Sequence, residues 1–180
     1  MIECKHRYSH NSLNTLHMKN STLLILLLCL TGCFGHTPPK TGLEGKPMPT
    51  VNLLLSDSNS YLNTKNIPKG QSAVIFYFMP QCPYCRAQMT EMTEKIRELK
   101  NVRIYAITFS KFKNFKSFCN EFKLNKYASI TAGLDYTDSM ARYFKIQGVP
   151  FTAIYNQNKK LSQAFPGRIS VSQIKNAIEN

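Results

Sequence analysis

Apolar positions from residue 50 onward fall into short continuous runs and into helical patterns, and the two kinds alternate along the chain. Residues 73–79 are a continuous apolar run, which is typical of a strand buried on both faces, and the mostly apolar residues 102–109 predict a second buried strand. Residues 82–99 and 111–122 repeat apolar positions at helical spacing. The other predicted elements are a hairpin around Tyr61, strands at 51–55, 127–131, 151–155 and 160–165, and helices at 137–144 and 170–180.

The order of these elements predicts the arrangement of the sheet. Strands that alternate with helices require a parallel sheet with right-handed crossovers. The last two strands are joined only by residues 156–159, so they are expected to be antiparallel. We therefore predict a three-layer α/β fold over residues 50–180, with a mixed central sheet flanked by helices and extended by an N-terminal strand.

The N-terminal part of the chain carries a short apolar run at residues 23–30, preceded by Lys19. A bilayer-spanning helix needs about 20 apolar residues, so this run is too short to cross. A basic start, a short apolar core and small residues after it are the pattern of a signal peptide. Met18 begins a compact signal of this kind, so translation from Met18 and from Met1 are both open.

The apolar run ends in Leu30-Thr31-Gly32-Cys33, which resembles the lipobox of bacterial lipoproteins. The resemblance implies cleavage before Cys33 and acylation of its sulfur, so residues 1–32 are expected to be a signal peptide. Residues 33–49 are rich in Pro and Gly and are expected to be a tether. The predicted location is the cell envelope, lipid-anchored and facing the periplasm, and Phe34 in place of Asp favours the outer membrane.

The formal net charge of +13 raises the question of a nucleic-acid partner. The aromatic residues lie in the apolar runs and are not interleaved with Lys and Arg on one face, so we expect no nucleic-acid binding. A basic surface is compatible with work beside an anionic bilayer.

The candidate chemistry is the pair in Cys82-Pro83-Tyr84-Cys85, between a predicted strand and a predicted helix. A helix N-terminus favours a negative charge, and the thiolate is the attacking form of cysteine. Pro83 suits the first turn, where a missing N–H has no cost. Cys82 leads the helix and is expected to attack a substrate disulfide, while Cys85, one turn in and more covered, resolves the mixed disulfide.

Other uses of the pair are less favoured by the sequence. A structural zinc site needs four Cys or His ligands, usually as two such pairs, whereas the chain after Cys33 has only this one pair and its single His, His36, lies in the predicted tether. We therefore expect no metal and no cofactor, and Cys119 is expected to be a core residue. Two alternatives stay open: a thiol peroxidase of the peroxiredoxin type, although the Pro-x-x-x-Thr-x-x-Cys pattern is absent, and a non-catalytic envelope lipoprotein.

Two motifs together resemble the thioredoxin superfamily, and most of all its TlpA-like, exported redoxin branch. They are Val-Ile-Phe-Tyr-Phe-Met-Pro-Gln-Cys-Pro-Tyr-Cys, ending at Cys85, and Gly-Val-Pro-Phe-Thr-Ala-Ile-Tyr, which contains Pro150. The resemblance implies a thioredoxin-like fold and exchange of disulfides with protein substrates, as a reductase rather than an oxidase, with a membrane electron donor. It also implies that Pro150 is cis beside the cysteine pair, and that Val149, Pro150, Pro83 and Tyr84 contact the substrate.

Two positions depart from the superfamily pattern. Gln81 stands where a Trp usually precedes the first cysteine, and Phe76 stands where thioredoxin has a buried Asp that assists proton transfer. The proton of Cys85 must then leave through water or through another acid, and Glu91 and Glu94 are the candidates.

Overall fold

The computed structural model describes residues 39–179. Its seven strands are β1 (Asn52–Leu55), β2 (Tyr61–Asn63), β3 (Ser72–Tyr77), β4 (Val102–Thr108), β5 (Ile130–Leu134), β6 (Phe151–Tyr155) and β7 (Leu161–Pro166). Its four α-helices are α1 (Pro83–Glu94), α2 (Phe112–Glu121), α3 (Ser139–Phe144) and α4 (Val171–Glu179). The predicted signal peptide and Cys33 lie outside the described residues.

The strands form one mixed sheet in the order β2-β1-β5-β4-β3-β6-β7. Strands β3, β4 and β5 are parallel, and every other neighbouring pair is antiparallel. The central strand β3 is buried at all six positions, with Val74 and Phe76 in the core under α1, α2 and α4 and with Ala73, Ile75 and Tyr77 in the core under α3. Burial on both faces explains the continuous apolar run, and it confirms the three-layer prediction.

Two elements differ from the sequence prediction. Helix α1 ends at Glu94 and is followed by a 3-10 turn at Ile96–Leu99, whereas a single helix to residue 99 is predicted. Strand β5 lies at Ile130–Leu134, later than the predicted 127–131, and pairs with β4 through Gly133. A Cβ at Gly133 would lie 2.8 Å from the Leu53 Cβ, so glycine allows β1 to approach β5 closely.

Helices α3 and α4 begin with different kinds of N-terminal cap. Ser170 Oγ accepts a hydrogen bond from Gln173 N at 3.2 Å, as expected for the N-cap of α4. At α3, Asp138 occupies the N-cap position but makes no side-chain cap bond. The buried carboxylate of Asp135 accepts from Ser139 N and Met140 N instead, at 3.1 and 2.7 Å.

The last residues of the predicted tether pack on the domain. Gly45 N donates to Leu161 O and Leu161 N donates to Lys46 O, at 2.8 and 2.9 Å, and Leu43 and Met48 pack on the core under α3. Backbone pairing with the start of β7 therefore extends the compact part of the chain N-terminal to residue 50. Among residues 39–179, no helix combines the length and apolarity that crossing a bilayer requires.

Candidate active site at the start of helix α1

The cysteine pair lies where the chain leaves the central strand and begins α1. Cys82 is the N-cap residue, Pro83 follows in the first turn, and Cys85 N donates to the Cys82 sulfur at 3.4 Å. This is the contact expected when a helix N-terminus stabilises a thiolate. Cys82 is half-buried, whereas Cys85 is 0% exposed, which gives the two thiols unequal access to a large substrate.

A second loop contacts the pair from the start of β6. The Val149–Pro150 peptide bond is cis, and the Cys82 thiol lies 3.7 Å from Val149 O, to which it donates. The structure therefore brings Cys82, Cys85 and Val149 together, with Pro150 buried next in the chain. Pro83 and Tyr84 are both exposed on the helix start, and Tyr84 is 65% exposed.

Cys85 lies in an apolar environment that disfavours its thiolate. The pKa of the Cys85 thiol is raised to about 12, chiefly because burial removes water from the thiolate, and hydrogen bonding to the Cys82 sulfur adds to the rise. Phe76 and Phe78 belong to the same core cluster, stacked with ring centroids 5.5 Å apart. The position of the thioredoxin Asp is thus filled by a buried hydrocarbon ring.

Neither acid that the sequence offers as a proton acceptor is placed beside Cys85. Glu91 and Glu94 lie six and nine residues further along α1, about 9 and 14 Å by the rise of an α-helix. Burial alone would raise the pKa of Glu91, but hydrogen bonds from Val171 N, Lys95 and Arg168 outweigh burial and lower it. Glu91 therefore ties α1 to the start of α4, and Glu94 is exposed to solvent.

Gln88 is a residue of this region that the sequence analysis did not single out. Its side chain is fully buried, donates from Nε2 to Thr152 Oγ1 at 3.0 Å, and accepts from Ile169 N at 3.1 Å. It thereby connects α1, one turn after Cys85, to β6 just after Pro150. The available signal was a glutamine directly beside Met89 on the apolar face of the helix.

Two cavities are lined by residues that neighbour Cys82, either in the chain or through the contact with Val149. One is lined by Pro80, Gln81 and Arg86 together with the facing side of α2. The Arg86 guanidinium pairs there with Glu121 and lies 5.4 Å from the centroid of the Phe122 ring. The second cavity is lined by residues of β3, the β4 end, α3 and the loop before β6: Tyr77, Phe109, Asp138, Ala141, Ile146, Gln147, Gly148 and Val149.

The third described cysteine, Cys119, lies on α2 and belongs to the same core cluster as Cys85. Cys119 is 6% exposed and packs with Phe115 and Phe118 in the core under α1 and α2. Burial raises the pKa of its thiol to about 12. Its position agrees with the prediction of a core residue. Within residues 39–179, no group of three or more His, Cys, Asp or Glu side chains could hold a metal ion.

Comparison with known proteins identifies the family. The Redoxin family model matches residues 43–178. No curated protein matches the sequence.

Three solved structures illustrate the likeness of fold. DsbF of MTB, in mixed oxidized and reduced forms, has a TM-score of 0.61 and 16% identity, covering 79% of this chain and 98% of that one. A secreted Mycobacterium tuberculosis disulfide oxidoreductase homologous to E. coli DsbE has a TM-score of 0.60 and 15% identity over 72% and 95% of the two chains. The thioredoxin domain of a Bacteroides vulgatus thiol-disulfide oxidoreductase gives 0.59 and 17% over 76% and 95%. The fold is thus thioredoxin-like, and the chain belongs to the Redoxin family.

Proposed function

We propose that this protein is a membrane-anchored thiol–disulfide oxidoreductase that acts on other proteins. The observation that carries the proposal is the unequal pair: Cys82 is half-buried at a helix N-terminus, and Cys85 is buried one turn behind it with its N–H 3.4 Å from the Cys82 sulfur. Such a pair suits a reaction in which one sulfur meets the substrate and the other acts only afterwards.

The reaction runs in two exchanges. The Cys82 thiolate attacks one sulfur of a substrate disulfide, a Cys82–substrate S–S bond forms, and the other substrate sulfur leaves as a thiolate. Cys85 then loses its proton and attacks the Cys82 sulfur, which releases the second substrate thiolate and leaves a Cys82–Cys85 disulfide. Two electrons pass from the protein to the substrate, so a membrane electron donor is needed to reduce the pair again.

Four further residues are proposed to contact the substrate. Val149 O lies 3.7 Å from the Cys82 sulfur, so a substrate chain that runs past Cys82 in an extended conformation can pair with the Val149 backbone. Pro150 holds that loop against the cysteine pair, and the exposed Pro83 and Tyr84 form the opposite rim. Reduction rather than oxidation is proposed because the motifs resemble the TlpA-like branch most closely.

The proposed location follows from the lipobox at Cys33. Acylation there would hold the domain on the periplasmic side of a membrane, in the cell envelope, and Phe34 favours the outer membrane. Protein disulfides of the same compartment are then the substrates.

Trapping of mixed disulfides tests the reaction. Replacing Cys85 removes the resolving sulfur, so Cys85→Ser should accumulate disulfide adducts with envelope proteins, which separate on reducing the sample. The double variant Cys82→Ser/Cys85→Ser should form none, and Cys119→Ser should behave as the wild type. Adducts that persist without Cys82, or their absence in Cys85→Ser cells, would count against the proposal.

The direction of electron flow has its own readout. Rapid acid quenching of cells stops thiol–disulfide exchange, and alkylation of the denatured protein at neutral pH then records the native state of the pair. A reductase should have Cys82 and Cys85 mostly as thiols, and loss of its electron donor should convert them to the disulfide. A pair found oxidised in wild-type cells would point to an oxidase.

A further inference from the structure

The edge of the sheet that lies opposite the cysteine pair is basic. We define this basal edge as residues 69–71, 100–103, 126–129 and 156–160, the segments at which β3, β4, β5 and β7 begin. Gly70 N donates to Gln157 O and Ile104 N donates to Ser129 O, so the segments are held side by side. Together they contain six basic residues and no acid: Lys69, Lys100, Arg103, Lys126, Lys159 and Lys160.

Two of these cations are used within the fold. Arg103 donates to Gln71 Oε1 and Ala128 O, at 2.9 and 3.1 Å, and the buried Lys159 amine donates to Gln71 O at 2.7 Å. They join the segments of the basal edge. The remaining four cations are exposed, and within residues 39–179 none of them forms an ion pair: Lys69, Lys100, Lys126 and Lys160.

Acids near this edge do not neutralise it. Glu98, in the turn before β4, is bound to Lys175 at 3.0 Å. Glu94 forms no ion pair within residues 39–179, since Lys95 pairs with Glu91. Glu179 is the last residue of α4. Glu44 accepts hydrogen bonds from Thr41 N and Gly42 N, and Asp57, in the β1–β2 turn, accepts from Asn59 N and Ser60 N. Within residues 39–179 none of these three acids forms an ion pair with the lysines of the basal edge. Asp135 and Asp138 follow β5, at the cysteine end of the sheet. The four exposed lysines therefore present a net positive surface.

The N-terminal segment reaches the domain at the same edge. Pro47 bridges to Lys160, and Met48 N donates to Lys159 O at 3.1 Å. Only residues 34–44 separate the proposed anchor, Cys33, from Gly45, the first residue that pairs with β7. Cys82 lies beyond the other end of the six-residue strand β3, about 20 Å away by the rise of a strand.

We propose that the basal edge docks on the anionic phospholipid headgroups of the membrane that carries the anchor, so that Cys82 faces the aqueous phase. The inference rests on the proposed function for its anchor. The lipobox resemblance implies a diacylglycerol on Cys33, and two acyl chains already hold a protein on a membrane. The lysines are therefore proposed to set the orientation of the domain on the headgroups. Each lysine near an anionic surface contributes about a five-fold gain in binding, so four exposed lysines add substantially to the anchor.

Tryptophan reporters can measure this orientation because the chain contains no Trp. Asn158→Trp places a reporter on the basal edge, and Gln81→Trp places one beside Cys82, both at exposed positions. The full chain is purified from membranes and reconstituted into vesicles of phosphatidylcholine, with or without about a third phosphatidylglycerol. A spin label on the lipid headgroup quenches any indole that lies at the membrane surface.

Docking predicts strong quenching of the Asn158→Trp reporter in vesicles with phosphatidylglycerol and at least two-fold weaker quenching of it in phosphatidylcholine alone. The Gln81→Trp reporter should be quenched little in either kind of vesicle. Lys100→Glu/Lys126→Glu should lower the ratio of docked to free domain at least about ten-fold. The matched control, Lys113→Glu/Lys116→Glu, makes the same charge change on the exposed side of α2 and should leave the quenching unchanged. Equal quenching in the two lipid compositions, or an equal effect of the two double variants, would overturn the proposal.

Failure of the anchor and failure of the docking give different results. Mass spectrometry of the wild type reports acylation at Cys33, and a mixed-disulfide assay reports Cys82 activity. Sedimentation with the same vesicles is then measured for Cys33→Ala chains with and without Lys100→Glu/Lys126→Glu. These chains are identical over residues 1–38, so a difference in their binding reports the lysines and not the acyl group. Binding that is lost with Lys100 and Lys126 supports the docking surface even if Cys33 carries no lipid. Binding that is unchanged by their substitution refutes the docking surface.

Discussion

The resolving step at Cys85 should accelerate with pH across the whole ordinary assay range. Only the thiolate attacks, and the pKa of Cys85 is raised to about 12. Because the assay pH stays below that pKa, the thiolate fraction rises about ten-fold for each pH unit between about pH 6 and 9. We therefore expect a rate of resolution that rises without a plateau.

The size of the effect follows from two opposing terms. At pH 7 a pKa of about 12 leaves about one thiolate in 10⁵, against one in 10² for an ordinary value of 9.0, a thousand-fold loss. A thiolate of higher pKa is more nucleophilic, by about 20-fold over this difference. Burial of Cys85 should thus slow resolution about 50-fold, relative to an exposed thiol held at the same distance.

Reaction with an aromatic disulfide separates the two steps. Attack by Cys82 releases one coloured thiolate, and resolution by Cys85 releases the second, so stopped-flow absorbance gives both rates in one trace. Cys85→Ser should lose the second phase and keep the first. A second phase that levels off below about pH 9 would refute the reasoning, because it would show that Cys85 ionises far more readily than its buried environment allows.

Two further predictions concern stability. Gln88→Leu leaves Ile169 N and Thr152 Oγ1 without their buried partner, so it should lower the free energy of unfolding, measured by urea denaturation, by about 2–4 kcal/mol. The control, Gln81→Leu at an exposed position, should change it by less than about 0.5 kcal/mol. A loss below about 1 kcal/mol for Gln88→Leu would contradict the assigned contacts. The pKa of the Cys119 thiol rises from 9.0 in the unfolded chain to about 12 in the folded one, so its contribution to the free energy of unfolding is full below about pH 9 and is lost as pH rises further. Cys119→Ala should therefore reduce, by about 1.4 kcal/mol, the fall in stability of the reduced protein between about pH 8 and 10. An unchanged pH dependence would show that this thiol is not buried.

The sequence predicts this fold best where burial leaves an unambiguous pattern. Strand β3 and the cysteine pair could be located because a strand covered on both faces needs an apolar run, and because the motif follows it directly. Strand β5 was placed too early because it contains Gly133, whose lack of a side chain reflects the close approach of β1 and not a turn. Local pattern carries no information about which distant strand will come near.

Long-range polar contacts were missed for a similar reason. Gln88 bonds to residues 64 and 81 positions away, so nothing adjacent in the chain marks its role. Asp135, rather than Asp138, caps α3 because the turn after β5 brings its carboxylate to the helix start. Both polar side chains are buried, and their partners are fixed only once the strands and helices have packed.

The contrast between β3 and the exposed rim of the site has a consequence for how this protein can evolve. The side chains of residues 73–77 in β3 each belong to one of the two cores, so a substitution there disturbs the packing of a whole layer. Gln81 and Tyr84 are exposed, and their replacement has little energetic effect on the fold. Substitutions at these exposed positions can therefore change which partners reach Cys82. The pKa of Cys85 is set by buried residues, so it stays the same while those partners change.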